Sequence, residues 1–494
     1  MIRRSELHII EADGMATREA IKGRALATGA AIKPGFAMLV QPLGRASIAA
    51  LGIFVVGAAL TCVAQLATAR IIGADSYGVY AYVLAWVTLL GYFSTLGFHV
   101  SLLRFVPAYG ANGEWALARG VIQYSQRSAA ATATCIFLIG SGGIIALQAS
   151  LRPEIAVTFL VGFAAVPFLA LHLVAASTTR AFGGIAAALA PERIVREGLL
   201  LGIVAAVFWG DFWRLDATLA MGATVLSSIA MLGLVSIFVR RLRPSSIDNV
   251  KPAFAPEDWW RPTLPLTVIM VADSFMNRAG VIALGLTGNT RDAGIFAAAF
   301  SIANVAALPR MAVATAFAPT VSALFARRDQ AGLQSLSAKA ARLSLLGTAC
   351  AAIPLLLLAQ PLLAWFGRDF VSGAPIVTIL LLGQVLAAAC GPQQHLITMT
   401  GQERAGATIL AACAGCSFSC CILVVGWFGL TGVAVITTIT LIGWNVTMGI
   451  FIHRALRLVP GLVVSFKAMP EGKCTNGQGI SRGDACVMRR DPPT

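Results

Sequence analysis

Apolar runs of roughly 20 residues recur along the chain from residue 46 to residue 453, separated by short polar breaks. An α-helix of about 20 residues is long enough to cross a hydrocarbon core of about 30 Å. Segments 199–209 and 222–239 are apolar on every side, whereas the helices of a water-soluble fold would carry a polar stripe. Only 12% of the 494 residues are charged and 57% are hydrophobic. The sequence therefore predicts an all-α polytopic membrane protein.

The apolar runs divide into twelve predicted transmembrane helices. Their approximate bounds are 46–70, 77–103, 126–148, 155–177, 194–209, 217–239, 263–286, 293–318, 342–366, 374–400, 405–427 and 430–453.

Lysine and arginine are distributed asymmetrically between the two sides of these spans. With the N-terminus inside, 30 of the 37 basic residues lie on the inner side, two (Arg278 and Arg310) lie within spans, and five lie outside: Arg70, Arg152, Arg214, Arg291 and Arg368. This is the positive-inside pattern of an inner (plasma) membrane protein, and it predicts that both termini are cytoplasmic. The net charge of +15 follows from insertion topology, and we expect no nucleic-acid partner.

A polar stretch at 240–262 divides the membrane region into an N-lobe at 46–239 and a C-lobe at 263–453. Cytoplasmic tails are predicted at 1–45 and 454–494, the second disordered from its composition. The two halves resemble each other at an offset of about 216 residues, which places Gly78 over Gly294. Repeated six-helix lobes around a central cavity are typical of secondary transporters.

Two segments near the start of the membrane region resemble the polysaccharide flippase family of the multidrug/oligosaccharidyl-lipid/polysaccharide exporter superfamily. They are ARIIGADSYGVYAY at 69–82 and LGFHVSLLRFVPAY at 96–109. The segment at 277–300 is similar to the opening of that family's second lobe, although Asn277 stands where the family often has Asp. The residues that match the motif are Arg70, Gly73, Gly78, Tyr80, Arg104 and Phe105.

The resemblance implies that the chain turns an undecaprenyl-diphosphate-linked oligosaccharide from the cytoplasmic to the periplasmic leaflet, without a cofactor. Partners would be this lipid-linked substrate, membrane lipids, a coupling Na+ or H+, and a polysaccharide polymerase. The physical need is clear, because a diphosphate with sugars cannot cross about 30 Å of hydrocarbon unless polar groups replace its water.

Arg278 and Arg310 are the best candidates for substrate binding because they lie deepest in the predicted spans. A charge at that depth is costly unless it faces a wet cavity or a partner, and a guanidinium can hold phosphate with two parallel hydrogen bonds. Snorkelling, or pairing with Asp273, is the structural alternative. Arg310 also follows Pro309, which predicts a kink that could turn the side chain into the cavity or serve packing alone.

Asp273 and Asn277 lie one turn apart on one face of span seven, while Arg278 points about 140° away from Asp273 on a continuous helix. Asp273 is therefore expected to pair across helices or to bind a proton or Na+. In span ten, Gln393, Gln394 and His395 follow Gly391-Pro392 and predict an unwound polar turn that could face sugar hydroxyls.

Four charged residues at the inner end of span five form two i, i+4 pairs, Glu192 with Arg196 and Arg193 with Glu197. They predict interfacial salt bridges or, alternatively, a gate between lobes. Cys413, Cys416 and Cys420 share a helix face, which we interpret as packing of small residues, and no metal site is expected.

A cation-coupled multidrug exporter of the same superfamily would have the same two lobes and is the nearest alternative function. A membrane glycan polymerase or ligase is a distant one, because its catalytic groups need a long outer loop. Every predicted outer connection is shorter than about 12 residues, so we expect no enzyme activity.

Overall fold

The computed structural model describes residues 35–210, 215–327 and 329–458, and all regular structure in these residues is helical. The predictions for most of both tails, and for Arg214, lie outside the described residues. We call the end of the bundle that carries Asp75, Arg152 and Asp369 the outer end, following the orientation expected from the sequence, and the opposite end the inner end.

The described residues of the first half form seven α-helices, besides a short 3-10 segment and a π-helical turn. They are α1 (Gly35–Ser94), α2 (Phe98–Ala111), α3 (Trp115–Leu147), α4 (Pro153–Ala181), α5 (Ile185–Ala190), α6 (Arg196–Gly210) and α7 (Ala217–Leu242). Helix α1 is two spans that meet at a kink at Gly73, where φ is 81° and only glycine is unstrained. A π-helical turn, Pro191–Val195, joins α5 and α6 into one span.

The second half repeats this pattern with more interruptions. Its helices are α8 (Ser245–Asp248), α9 (Pro256–Met276), α10 (Ala279–Leu286), α11 (Thr290–Val305), α12 (Leu308–Ala326), α13 (Gln330–Leu357), α14 (Ala359–Phe366), α15 (Ala374–Cys390), α16 (Gln393–Met399) and α17 (Glu403–Leu456). The α9–α10 pair bends by 59° and the α11–α12 pair by 50°. Helix α17 is again two spans, which meet at Gly429.

Seven helical stretches of the described residues are long and apolar enough to cross a membrane, and the two bent pairs raise this to nine. Two of the seven, Gly52–Ala111 and Glu403–Leu456, each become two spans when divided at Gly73 and Gly429. Helices α5 and α6 together form the remaining span, so the predicted twelve-span all-α fold is confirmed. The apolar run predicted as span nine up to residue 366 is divided in the structure, because one helix ends at Leu357 and α14 begins at Ala359 after a turn at Leu358.

The internal repeat is visible as a reciprocal contact between the two halves. A Cβ added at Gly78 would lie 2.6 Å from the carbonyl carbon of Thr290, and one added at Gly294 would strike the carbonyl oxygen of Ala74. Ala74 and Thr290 are related by the same offset as the two glycines. The predicted alignment of the halves is therefore the register in which they touch.

Each half also ties its first outer turn to its second outer connection with an ion pair. Asp75 pairs with Arg152 at 2.7 Å, and Arg291 pairs with Asp369 at 2.9 Å. Asp75 and Arg291 occupy equivalent positions in the repeat. Both halves therefore have an ion pair at this place, but the acidic residue is in the first outer turn of one half and the basic residue is in that of the other.

The polar stretch between the halves is docked on the first half. Arg119 of α3 donates hydrogen bonds to the carbonyl oxygens of Ile247, Asp248 and Val250, at 3.2, 2.9 and 2.7 Å. The Ala253 backbone packs closely on Gly120, because a Cβ added at Gly120 would lie 2.7 Å from the Ala253 carbonyl carbon. These contacts fix the start of α9, which also packs against α17 of the second half. The boundary of the predicted C-lobe at 263 stays a prediction.

Candidate substrate site between the two halves

Span seven breaks at its polar residues. Helix α9 ends at Met276 and α10 begins at Ala279, which leaves Asn277 and Arg278 in the break. The Asn277 side chain donates a hydrogen bond of 2.8 Å to the Asp273 carbonyl and so caps the end of α9. The predicted angle of about 140° between Asp273 and Arg278 assumed a continuous helix, whereas the helix breaks here and α9 and α10 are bent by 59°.

Arg278 lies where three spans meet. Its guanidinium is close enough to interact electrostatically with Tyr92 of span two, Arg196 of span five and Asp273 of its own span. Tyr92 in turn interacts with Asp273. This candidate from the second half therefore faces polar groups of the first half.

Arg310 follows a helix break, not a kink within a helix. The bend lies between Val305 and Leu308, so Pro309 sits in the first turn of α12, where its missing N–H costs little. The Arg310 Nη2 lies 3.4 Å from the Gln384 Oε1, and its Nε is buried without a hydrogen-bond partner. Asp273 interacts electrostatically with both sequence-predicted arginines, Arg310 and Arg278.

Span ten breaks at Gly391-Pro392 between α15 and α16, but the unwound turn predicted at Gln393, Gln394 and His395 is wrong, because these residues form the first turn of α16. Gly391 has a φ of +80°, and Gln393 donates a hydrogen bond of 3.0 Å from its Nε2 to the carbonyl of Cys390, at the end of α15. The Gln393 Oε1 is buried without a partner, so this side chain mainly repairs the break. His395 lines a narrow cleft with Cys390, and Gln394 lies beside it on α16.

The charged residues of span five do not form the predicted i, i+4 pairs. Arg196 instead binds its neighbour Glu197, with an Nε–Oε1 hydrogen bond of 3.1 Å and a second, shorter one from Nη2. The π-helical turn Pro191–Val195 places one more residue in each turn, and this changes the register on which the i, i+4 expectation rests.

Glu192 instead has four basic groups in its neighbourhood, and two of them, His172 and Arg180, lie on α4. Its carboxylate interacts electrostatically with Arg193, His172, Arg196 and Arg180. His172 is fully buried, and neither ring nitrogen has a hydrogen-bond partner. The sequence does show many charged residues at 180–197, next to an apolar helix that contains a histidine. It does not show which of these side chains point toward one another.

Two of the family-motif residues, Arg70 and Gly78, lie in a contact region at the outer end. We call this region the outer seam, and it consists of Arg70, Asp75, Gly78, Thr290 and Trp365. Arg70 donates a 3.2 Å hydrogen bond to the Trp365 carbonyl, and Thr290 donates one to Asp75. Arg152 donates a 2.9 Å bond to Thr290, and its guanidinium holds the pKa of Asp75 below its ordinary value. Every one of these contacts except the Asp75–Arg152 pair joins the first half to the second.

The remaining motif residues have separate positions. The Tyr80 hydroxyl lies 3.0 Å from the Thr224 hydroxyl inside the first half, Gly73 forms the kink of α1, and Arg104 is exposed. None of these three lines the break at Arg278. Within the described residues, no group of three or more His, Cys, Asp and Glu side chains is arranged to hold a metal ion.

Comparison with known proteins agrees with the family resemblance. Residues 43–325 match the model of the family described as "Polysaccharide biosynthesis protein". No curated protein sequence matches the chain.

Solved structures share the fold at low sequence identity. One is described as the inward-facing conformation of a multidrug resistance MATE family transporter of the MOP superfamily, with a TM-score of 0.68 and 15% identity over 83% of this chain and 98% of that one. The outward-facing conformation of a MATE family transporter gives a TM-score of 0.61 at 16% identity, covering 84% of this chain and 96% of that one. A MOP superfamily transporter from Pyrococcus furiosus, whose binding pocket is described as having reverse polarity, also gives 0.61 at 16% identity, with the same 84% and 96% coverage.

Proposed function

Since the chain belongs to the polysaccharide biosynthesis protein family, we propose that this multi-pass membrane transporter flips an undecaprenyl-diphosphate-linked oligosaccharide from the cytoplasmic to the periplasmic leaflet. The family match and the fold support the assignment of the chain as a transporter of this family. The proposal adds the substrate, its direction, an inner-membrane location with both termini cytoplasmic, and a polysaccharide polymerase as the partner that uses the product.

The observation that carries the proposal is the excess of arginine between the two halves. Arg278 and Arg310 both interact with the single carboxylate of Asp273, and Arg278 also faces Arg196. A surplus of buried positive charge is costly in the absence of an anion. A diphosphate is the part of a lipid-linked sugar that supplies such an anion, and arginine can bind it through paired hydrogen bonds.

The remaining candidates have supporting roles in this proposal. Asp273 and Asn277 hold the arginine-bearing break in its bent form, while Gln394 and His395 offer hydrogen-bonding groups to sugar hydroxyls. Gln393 contributes by keeping the break in span ten intact. The lipid tail stays in the bilayer, where no polar group is needed.

Alternating access supplies the movement, and the closed outer seam supports it. Interlobe hydrogen bonds at Arg70 and Thr290, together with the Gly78 contact, close the outer end. The higher TM-score with the structure described as inward-facing is consistent with this state. We propose that the seam opens when the loaded site faces outward.

A cation-coupled multidrug exporter is the second candidate, favoured by the MATE fold. In that function Asp273 would bind Na+ or H+ and exchange it for an organic cation. The surplus of arginine beside Asp273 opposes cation binding, which is why we place this function second.

Reconstitution into liposomes separates these functions. The purified protein should move an undecaprenyl-diphosphate-linked oligosaccharide between leaflets, measured as the fraction accessible to an external sugar-modifying enzyme, and should not accumulate cationic dyes. Dye transport without movement of the lipid-linked sugar would support the exporter instead. Polymerisation or hydrolysis of the glycan by the isolated protein would contradict the assignment as a transporter.

Substitution of the two arginines tests the site. Arg278→Ala and Arg310→Ala should abolish flipping, whereas the Lys variants should retain part of it, because an ammonium keeps the charge and loses the paired hydrogen bonds. Arg240→Ala is the matched control, because Arg240 is exposed in the last turn of α7 and belongs to neither the motif nor the site. Normal flipping by both Ala variants at normal abundance would remove these residues from the site.

A further inference from the structure

The inner half of the first lobe holds a second concentration of positive charge, apart from Arg278 and Arg310. Arg180 ends α4, and Arg193 and Arg196 lie in and after the π-helical turn of span five. Glu197 is almost fully buried and is the ion-pair partner of Arg196. Glu192 is thus the one carboxylate of this cluster that remains to balance Arg180 and Arg193.

The two remaining arginines are held in place without being neutralised. Among the described residues, no ion pair within 4.0 Å joins Glu192 to any of the three arginines. The Arg193 guanidinium lies 5.1 Å above the ring of Phe54, and its Nε is buried without a partner. The Arg180 Nε is also buried and unpartnered, and its Nη2 makes only a long bond of 3.4 Å to Ser177.

A second observation concerns His172, which lies on α4 together with Arg180. It is fully buried, both of its ring nitrogens lack hydrogen-bond partners, and it interacts electrostatically with Glu192, Arg196 and Arg180. Buried polar groups in a folded protein are normally hydrogen-bonded. Unpartnered nitrogens on three side chains around one carboxylate mark a place where a ligand with several acceptor oxygens would satisfy them.

We propose that Arg180, Arg193 and Arg196 form a second anion site in the first lobe, which binds a phosphate or diphosphate group in competition with Glu192. In the unloaded protein Glu192 is the resident counter-charge. When a phosphate group enters, its oxygens accept from the unpartnered guanidinium nitrogens, and Glu192 loses its role. The identity of the ligand as the lipid carrier's diphosphate rests on the proposed function, whereas the affinity for phosphate oxygens rests on the cluster alone.

Binding of inorganic pyrophosphate to the purified full-length protein, measured by calorimetry, tests the site. Arg180→Gln and Arg193→Gln should each weaken binding by about tenfold, the effect of losing one charge-assisted hydrogen bond. Glu192→Gln should strengthen binding by about tenfold, because it removes a competing negative charge and preserves the shape of the side chain. Arg127→Gln, at an exposed arginine of α3, is the matched control and should leave the affinity unchanged.

The arginine variants should weaken pyrophosphate binding and Glu192→Gln should strengthen it. These opposite effects distinguish a binding site from a structural role, because damage to the fold can weaken binding but cannot strengthen it. Unchanged or weaker binding in Glu192→Gln would overturn the inference, and so would absence of pyrophosphate binding in the unsubstituted protein. If Arg180→Gln does not fold, as judged by its thermal unfolding, the Glu192→Gln result decides. If the protein flips the lipid-linked sugar and Glu192→Gln does not change pyrophosphate binding, the second site is rejected and the proposed function stands. If Glu192→Gln strengthens pyrophosphate binding and the protein does not flip the lipid-linked sugar, only the proposed function is rejected.

Discussion

Gly78→Ala is the most direct test of how the two halves close at the outer end. The added Cβ would lie 2.6 Å from the Thr290 carbonyl carbon and 2.9 Å from the Gly294 nitrogen, and both neighbours are backbone atoms that cannot rotate away. Ordinary carbon–carbon contacts begin at about 3.5 Å, so the helices must separate by at least about 1 Å. Overpacking of this kind costs about 1–3 kcal/mol, and in the proposed alternating-access cycle only the outer-closed state bears that cost.

The expected result is a shift of about 5- to 150-fold in the ratio of outer-closed to outer-open protein. Spin labels at Ser150 and Arg368, two exposed positions on the outer connections of the two halves, report this as a longer distance between them. The labels require a background in which the native cysteines are replaced. Flipping should fall in parallel, because a protein that cannot close outside cannot complete its cycle.

Gly222→Ala provides the matched control, because a Cβ at Gly222 meets nothing within 4 Å. Alanine favours a helix by about 1 kcal/mol over glycine at either position, so helix propensity cannot explain a loss in the Gly78 variant. Gly294→Ala should reproduce the effect through the equivalent contact with Ala74. Unchanged distances and flipping in Gly78→Ala would refute the reasoning that this crossing closes the outer end.

Three further predictions concern the outer ion pair, the docked linker and the topology. Because Arg152 lowers the pKa of Asp75, the pair contributes to the outer seam at pH values above the ordinary aspartate range, and this contribution is lost as pH falls through the lowered pKa. Both side chains are about half exposed (48%), so Asp75→Asn should reduce the free-energy preference for the outer-closed state by less than about 1 kcal/mol. In the unsubstituted protein the distance between the spin labels should not change between about pH 5 and pH 8. Gly120→Ala should displace the linker at Ala253 and lower the thermal unfolding midpoint, whereas Gly142→Ala, where a Cβ meets nothing, should not. Reporter fusions after residues 243 and 460 should both give cytoplasmic signals, and a periplasmic signal from either would overturn the orientation.

The sequence predicted the features of the fold that depend on local composition. The number of spans followed from the lengths of the apolar runs, and the helix break at Gly391-Pro392 followed from residues that end helices wherever they occur. The alignment of Gly78 with Gly294 also came from the sequence, and the structure shows why both positions lack a side chain: each backbone packs on the other half. Predicted helix ends were less accurate, as at span nine, because the turn at Leu358 lies inside a continuous apolar run.

The arrangement of charge was decided by tertiary structure alone. The spacing of Glu192, Arg193, Arg196 and Glu197 predicted two ion pairs, but a π-helical turn and the approach of α4 paired Arg196 with Glu197 and left Glu192 facing the other basic groups. The break at Asn277 and Arg278 likewise interrupts the continuous helix from which the angle between Asp273 and Arg278 was predicted. Burial in lipid is a property of a segment and can be read along the chain, whereas the partner of a buried charge is chosen by distances between segments that only the folded chain fixes.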